Sequence, residues 1–410
     1  MASGSIDHMV SLIIFMAAIT IFIGVFSQNM QTGIAYERHN ALSTKTSDLL
    51  DNMLLNPGIP STWGQSDSEI AGFGLQDPDY SQYKLSSFSP MRLASTQSPV
   101  YYPRTNTYYS NNSEGLGSYL LSPLAESLSY STVSKLLGIN GTYGFQLTLS
   151  PTLTFDFQKI SDYSPLTIQV RVDGTGYPLA NAPLSYSLIV VNQGTNDYPS
   201  YTVVSNVTVT DAAGLVQLVF PQISSESQSY ALITYSNLNG LKGMGYYVNN
   251  PADFSKTVIP LTNSFQNRTI LLAHSDSVGQ PSQPSGYSKL SYNASFVILT
   301  EDYTFRQVQL DQQNAVGDLI YGSGSEPDYV SITVPNNNGI LIVTYKSTLG
   351  QCGVVLMPWG LSSLALPLKF GGNPMGQEWV TTDIRQVTVD GIAYQAQLSL
   401  WDLQGYSRTD

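Results

Sequence analysis

The sequence predicts a mainly β protein in which an N-terminal transmembrane and stalk α-helix is followed by β-sandwich domains. Three observations predict it. Met9 to Ser27 is an uncharged, almost wholly apolar run. From about Tyr163 onward, short stretches alternate apolar with polar residues at the period of a half-buried strand. Gly, Pro, Asn and Asp punctuate those stretches at the spacing of turns in all-β domains.

At about 1.5 Å per residue the apolar run reaches about 28 Å, close to the ~30 Å hydrocarbon thickness of a bilayer. A secretory signal peptide would carry a basic lead, a shorter apolar core and a small-residue cleavage site. Here the first Lys or Arg is Arg38, and Phe26-Ser27-Gln28 is a poor cleavage context. A soluble core helix would keep a polar face. An uncleaved anchor is therefore expected. Helical character continues past the run, because Met30, Ile34, Ala41, Leu42, Leu49, Leu50, Met53 and Leu54 recur at spacings of three, four and seven with no proline between Gln28 and Leu55. Asn56-Pro57-Gly58 stops it. The expected helix is some 45 to 50 residues, about 70 Å long.

The polar lead Met1-Ala2-Ser3-Gly4-Ser5-Ile6-Asp7, the apolar run, its amphipathic extension and the block from Leu54 to Trp63 together resemble the N-terminal part of archaeal type IV pilin-like proteins. The resemblance covers about residues 1 to 63. It implies peptidase cleavage after Gly4, a mature chain beginning at Ser5, and Asp7 facing a neighbouring subunit's freed α-amino group in a filament core. One departure is that no Lys or Arg precedes Gly4.

Charge and composition point opposite ways on orientation. Arg38 and Lys45 follow the span, which by the positive-inside rule would place the bulk of the chain in the cytoplasm. The remaining composition points outward: Lys and Arg total 17 in 410 residues, Tyr reaches 27, and Ser, Thr and Asn fill the loops. A single-pass protein with its bulk extracytoplasmic is the expectation. A net charge of −12 disfavours nucleic acid and anionic head groups as partners. Membrane lipid, copies of the chain itself and other surface proteins remain as expected partners.

The best-defined module spans 162–236. Leu166, Ile168, Val170 and Val172 alternate with polar residues, Asp173 to Gly176 turns, Leu184 to Val191 and Val203 to Thr210 read as strands, and Asp211-Ala212-Ala213-Gly214 leads into Leu215 to Phe220 before Tyr230 to Tyr235. Such a set suits an immunoglobulin-like sandwich. The phrase from Gly176 to Leu184, with Thr210 to Val216, resembles the Ig-like repeats of bacterial and archaeal surface proteins, which act as spacers in adhesins and envelope proteins. That resemblance implies a fold and no catalytic residue.

The flanks are less regular. Residues 1–56 are assigned to the helix, 57–161 to a first β-rich segment, and 237–410 to a C-terminal β-rich domain. The last two are expected to build one larger β domain, sharing a sheet through 64–160, with the Ig-like module inserted within it or sitting beside it. Strands are expected at Phe145 to Leu149, Leu153 to Phe157, Val258-Ile259, Ile270 to Leu272, Tyr292 to Leu299, Val330 to Val334, Ile340 to Tyr345 and Val354 to Met357. A final hairpin turns at Asp390-Gly391.

Chemistry is sparse in the sequence. Of three histidines, His8 and His39 belong to the helix, leaving His274 alone, and no Gly-x-Ser-x-Gly or His-Glu-x-x-His motif occurs. Gln76-Asp77-Pro78-Asp79-Tyr80 and Ser325-Glu326-Pro327-Asp328-Tyr329 could offer oxygens to Ca²⁺, although a Pro-centred surface turn is the simpler reading. Glu301-Asp302 could be half of a carboxylate pair. No catalytic, cofactor or metal set is expected. Five Asn-x-Ser/Thr sequons, at Asn111, Asn140, Asn206, Asn267 and Asn293, are glycosylation candidates, though Ser and Thr are frequent enough here to produce about that many by chance. The single Cys352 excludes an internal disulfide framework and reads as a small buried hydrophobe. Trp359, Trp379 and Trp401 are expected to form a core cluster first and a sugar platform second. Two function classes follow: a noncatalytic surface protein displaying β domains for structural or adhesive contacts, possible also as a filament subunit, and a membrane-tethered carbohydrate- or peptide-binding protein or hydrolase.

Overall fold

The computed structural model describes residues 3–79, 82–93, 99–111, 121–161, 163–194, 198–223, 228–250, 256–278, 287–300, 304–310, 313–322 and 328–403. One helix, Ser3–Leu55, runs for 53 residues, about 80 Å. It is longer than expected because the polar lead joins it at one end and its buried last turns hold it together up to Asn56-Pro57. Side chains are exposed from His8 to Ile34. Burial begins at Leu42 and continues through Thr46, Leu49, Leu50, Met53 and Leu54, the inward face of a helix at three- and four-residue spacing.

Those residues pack on a five-stranded sheet whose order is Lys84–Leu85, Val380–Val389, Ile392–Asp402, Tyr143–Pro151 and Leu368–Gly371. Tyr143–Pro151 pairs antiparallel with Ile392–Asp402, so the segments on either side of the Ig-like module share one sheet. The hairpin between Val380–Val389 and Ile392–Asp402 is closed by Asp390 at φ 48° and Gly391 at φ 85°, the pair of positive φ values a tight two-residue hairpin turn requires.

Two sheets face each other in the Ig-like module. Strands Leu215–Phe220, Leu166–Gly174 and Leu153–Ser161 form one, and Ser200–Val209, Pro183–Asn192, Tyr230–Leu238 and Leu241–Asn249 form the other. Their inner faces bury Leu166, Ile168, Val170, Val172, Leu184, Leu188, Val190, Leu218, Leu232 and neighbours as one core. Each such side chain removed from water contributes about 1.5–3 kcal/mol. The sandwich extends beyond 162–236 at both ends, because Leu153–Ser161 and Leu241–Asn249 supply its outer strands. These two approach closely: a Cβ on Gly243 would lie 2.4 Å from Leu153 Cβ, and one on Gly245 would lie 2.4 Å from Phe155 Cβ. Asp211 shapes the turn before Leu215–Phe220, its Oδ1 accepting from the amides of Ala213 at 2.8 Å and Leu215 at 2.9 Å.

The C-terminal region adds a three-stranded sheet (Val258–Ser264, Thr269–His274, Tyr329–Thr333) and a sheet built on Ser288–Leu299, Gly339–Ser347 and Cys352–Trp359, with Phe305–Val308 and Val316–Tyr321 alongside Ser288–Leu299. One continuous core joins the helix end, the five-stranded sheet, both C-terminal sheets and the outer face of the Ig-like sandwich through Ile189, Val191, Ala231 and Ile233. A small ribbon of Val100–Tyr102, Thr107–Asn111 and Leu121–Pro123 packs Tyr102 and Tyr109 onto Leu261, Leu271 and Ala273.

The tryptophans do not cluster as expected. Trp359 is buried against Phe265 and Phe88, while Trp401 is buried in the five-stranded sheet over Gly144, whose added Cβ would lie 2.2 Å from its Nε1. Trp379 lies 47% exposed just ahead of Val380–Val389, apart from both.

Candidate functional site: the apolar helix, its clamp and the polar clusters

The apolar half of the helix is the most distinctive surface. It is long and apolar enough to cross a membrane, and none of its most apolar stretch is buried by the rest of the protein. Residues 28–41, about 21 Å of helix, separate Ser27 from the first buried contact at Leu42. Gly4, Ser5 and Asp7 lie in the first turns of the helical backbone.

The other end is clamped to the head. Arg385, on Val380–Val389, reaches the helix with Nε 3.1 Å from Asp51 Oδ1 and Nη2 donating to Ser47 Oγ at 2.8 Å, while Nη1 pairs with Asp383 at 2.6 Å. Tyr83 OH donates to the same Asp51 oxygen at 3.1 Å. Burial raises the Asp383 carboxyl, but hydrogen bonds from Ser47, the Ile384 amide and Arg385 outweigh it and hold the group below the usual carboxylate range. Burial likewise lowers Arg385, and its Asp51 and Asp383 partners more than reverse that, fixing the positive charge. Thr46 Oγ1 and Thr381 Oγ1 lie 2.5 Å apart beneath this clamp.

Beyond the helix, the backbone of the head locks onto its last turn. Leu75 N–H donates to Met53 O at 2.8 Å and Gln76 N–H to Asn56 O at 3.1 Å. Nearby, Arg92 is buried and its guanidinium donates to the carbonyls of Trp63, Ser66 and Glu126. Burial lowers its pKa, partly offset by Glu126 and Asp67. Neither clamp was visible in the sequence, because Asp51 and Arg385 are 334 residues apart.

His274 is fully buried at the end of Thr269–His274. Its Nδ1 accepts the Asp276 amide at 3.2 Å, so the proton sits on Nε2, which donates to Ser288 Oγ at 3.1 Å. A serine nucleophile needs the opposite arrangement, with Nε2 accepting. The histidine caps the short turn Ser275–Ser277 instead. Burial lowers its pKa, and the nearby Asp276 carboxylate opposes that more weakly.

The acidic phrases are occupied by local partners. Asp77 Oδ1 accepts the Asp79 amide at 3.0 Å, the expected Pro-centred turn, and Oδ2 lies 3.6 Å from Lys84 Nζ. Asp328 is buried and pairs with Arg104 Nε at 2.7 Å. Glu301, Asp302 and Glu326 lie outside the described residues. Among the described residues, no group of three or more His, Cys, Asp or Glu converges as a metal site would require. Cys352 is half-buried rather than enclosed, because it opens its strand at the edge of the core, and its partial burial raises the thiol pKa.

Two cavities separate the features that a carbohydrate site would combine. A polar cleft of about 430 Å³ is lined by Asp77, Asp79, Asp390 and Asn336 to Asn338, with no Tyr or Trp among the described residues that line it. A larger groove of about 790 Å³ between the Ig-like sandwich and Cys352–Trp359 carries Phe155, Phe157, Tyr246 and Tyr247, with no carboxylate among the described residues that line it.

The sequons differ in access. Asn140, Asn206 and Asn267 are exposed. Asn293 is half-buried and its Nδ2 donates to Pro199 O at 3.0 Å. The side chain of Asn111 lies outside the described residues.

No family model matches the chain, and no curated protein matches it. Solved structures with detectable likeness include red sea bream transglutaminase, at 10% identity and TM-score 0.20 over 70% of this chain and 40% of that one. They also include Salmonella alpha-2-macroglobulin reacted with methylamine, at 11% identity and TM-score 0.22 over 57% of this chain and 17% of the other. A third is invasin, a bacterial integrin-binding protein, at 13% identity and TM-score 0.16 over 60% and 54%. The chain spans less than two thirds of each of these proteins, and likeness at this level assigns neither family nor activity.

Proposed function

We propose that this chain is a noncatalytic cell-surface protein, held by its N-terminal helix as a single-pass anchor and displaying extracytoplasmic β domains for structural or adhesive contacts. The observation that carries the proposal is the continuity of one helix. Its first half is bare and apolar, and its last turns are clamped into the head by Leu49, Leu50, Met53, Leu54 and Arg385. A bare apolar cylinder costs free energy in water and is stable in hydrocarbon or against other apolar helices. With Ser27 at the membrane boundary, residues 28–41 stand the head off by about 20 Å. The resemblance to type IV pilin-like proteins supports a filament version, in which cleavage after Gly4 exposes Ser5 and the apolar helices of many copies pack together with Asp7 facing a neighbour's α-amino group.

Intact-mass and N-terminal sequencing of protein from the native membrane fraction, with electron microscopy of sheared surface material, tests both versions. A Ser5 start in filaments establishes the subunit. A Met1 or Ala2 start confined to the membrane pellet establishes a singly anchored protein. Recovery from the aqueous fraction without the helix would overturn both.

A further inference from the structure

The strand Ser200–Val209 is the outermost of its sheet, and no described strand pairs with its outer edge. It pairs with Pro183–Asn192 over ten consecutive positions without a bulge, and it contains no charged residue and no proline. Charges, prolines and bulges are how natural edges avoid pairing with other chains, and this edge has none of them. Thr202 to Val207 are six consecutive exposed residues, with Val203, Val204 and Val207 at 43%, 48% and 63%.

The direction of the backbone groups can be read from the hydrogen bonds. Thr210 N–H donates inward to Ala182 O at 3.1 Å, so even-numbered positions face the neighbouring strand. Odd positions face out. Val207 N–H accordingly leaves the ladder and donates to its neighbour's side chain, Asn206 Oδ1, at 2.8 Å. Ser205, at the middle of the exposed stretch, thus directs both N–H and C=O into solvent.

Around Ser205 the sequence is nearly palindromic: Thr202-Val203-Val204-Ser205-Asn206-Val207-Thr208. We propose that this edge is a self-association surface, on which a second copy of the chain adds its own Ser200–Val209 strand antiparallel about a two-fold axis at Ser205. In that register Val203 opposes the second copy's Val207, Thr202 opposes its Thr208, and Ser205 exchanges backbone hydrogen bonds with itself. Val–Val and Thr–Thr cross-strand pairs are favourable ones, and an isologous contact brings like residues together in this way. An uncharged edge also spares two copies of net charge −12 from repelling at the contact. The result is one continuous eight-stranded sheet across the dimer, independent of whether the helices also associate.

The test uses the full chain in detergent with the native thiol removed by Cys352→Ala. Ser205→Cys in that background should oxidise to a disulfide-linked dimer, because a hydrogen-bonded antiparallel pair sets Cα atoms about 5.5 Å apart, within disulfide reach. Thr202→Cys should not, since its copies would lie six residues apart in register, about 20 Å. Adding Val203→Lys and Val207→Lys, or Val203→Glu and Val207→Glu, should abolish the Ser205→Cys disulfide, and mixing the two charge variants should restore it. Val207→Pro should abolish it too while leaving the inner ladder intact, because that N–H faces outward. Equal cross-linking at 202 and 205, no cross-linking at 205, or a disulfide that survives the charge and proline variants would each overturn the proposal.

Discussion

Arg385→Met keeps the aliphatic stem and removes the guanidinium that ties the helix to the head. Lost with it are the pairing to Asp51, whose side chain is 38% exposed, the hydrogen bond to Ser47 and the contact with Asp383. An ion pair that exposed contributes about 0.2–1 kcal/mol after solvent screening. A partly buried hydrogen bond to a charged donor adds about 1 kcal/mol more. The expected cost is about 1–2 kcal/mol, borne by the helix–sheet interface alone, which multiplies its opening constant by about five- to thirty-fold. Native-state hydrogen exchange on the full chain in detergent reads this directly. Amides from Thr46 to Leu55 should exchange about that much faster, while those of Leu166–Gly174 and Leu215–Phe220 stay unchanged. No change at Thr46 to Leu55, or an equal change in the sandwich, would refute the clamp.

Arg92→Leu leaves three carbonyls without their donor in a buried site, and a loss on the order of 3 kcal/mol in urea unfolding is expected. Because the folded-state pKa of His274 is depressed, the unfolded chain binds the extra proton first as pH falls. Stability should therefore be full above about pH 6.5 and decline below it, and His274→Gln should flatten that slope in thermal unfolding between pH 7.5 and 5. Gly391→Ala adds a Cβ into open space at φ 85°, so a cost of about 1 kcal/mol should come from backbone strain alone, read as a shift in the urea midpoint. Should the native protein carry N-glycans, peptide mapping should find them at the exposed Asn140, Asn206 or Asn267 and not at Asn293, whose amide is already committed to Pro199.

What was legible in the sequence was what repeats locally. The period-two run of Leu166, Ile168, Val170 and Val172 marked a strand because all four side chains face one core. The helix announced itself by composition, and Asp390-Gly391 by its turn chemistry. Leu241–Asn249 escaped because Gly243 and Gly245 stand where side chains would signal a strand, and they are small since Leu153 and Phe155 pack directly on them. Leu368–Gly371 is too short to show a period, and the helix Tyr130–Leu136 completes barely two turns. Long-range partnerships left no local mark. The clamp on Asp51 and the carbonyl nest around Arg92 join segments far apart in the chain, and no pattern in one segment names its partner. Sequons could be found but not sorted, since access depends on neighbours such as Pro199.

In the proposed arrangement the helix lies in the membrane and the β head stands outside. Treating intact cells with a membrane-impermeant amine reagent, then mapping labelled lysines, tests it most directly. Lys159, Lys242 and Lys369 on the head should be labelled without lysing the cells, at the level seen after lysis. Labelling of these lysines only after lysis would place the head inside and contradict the account.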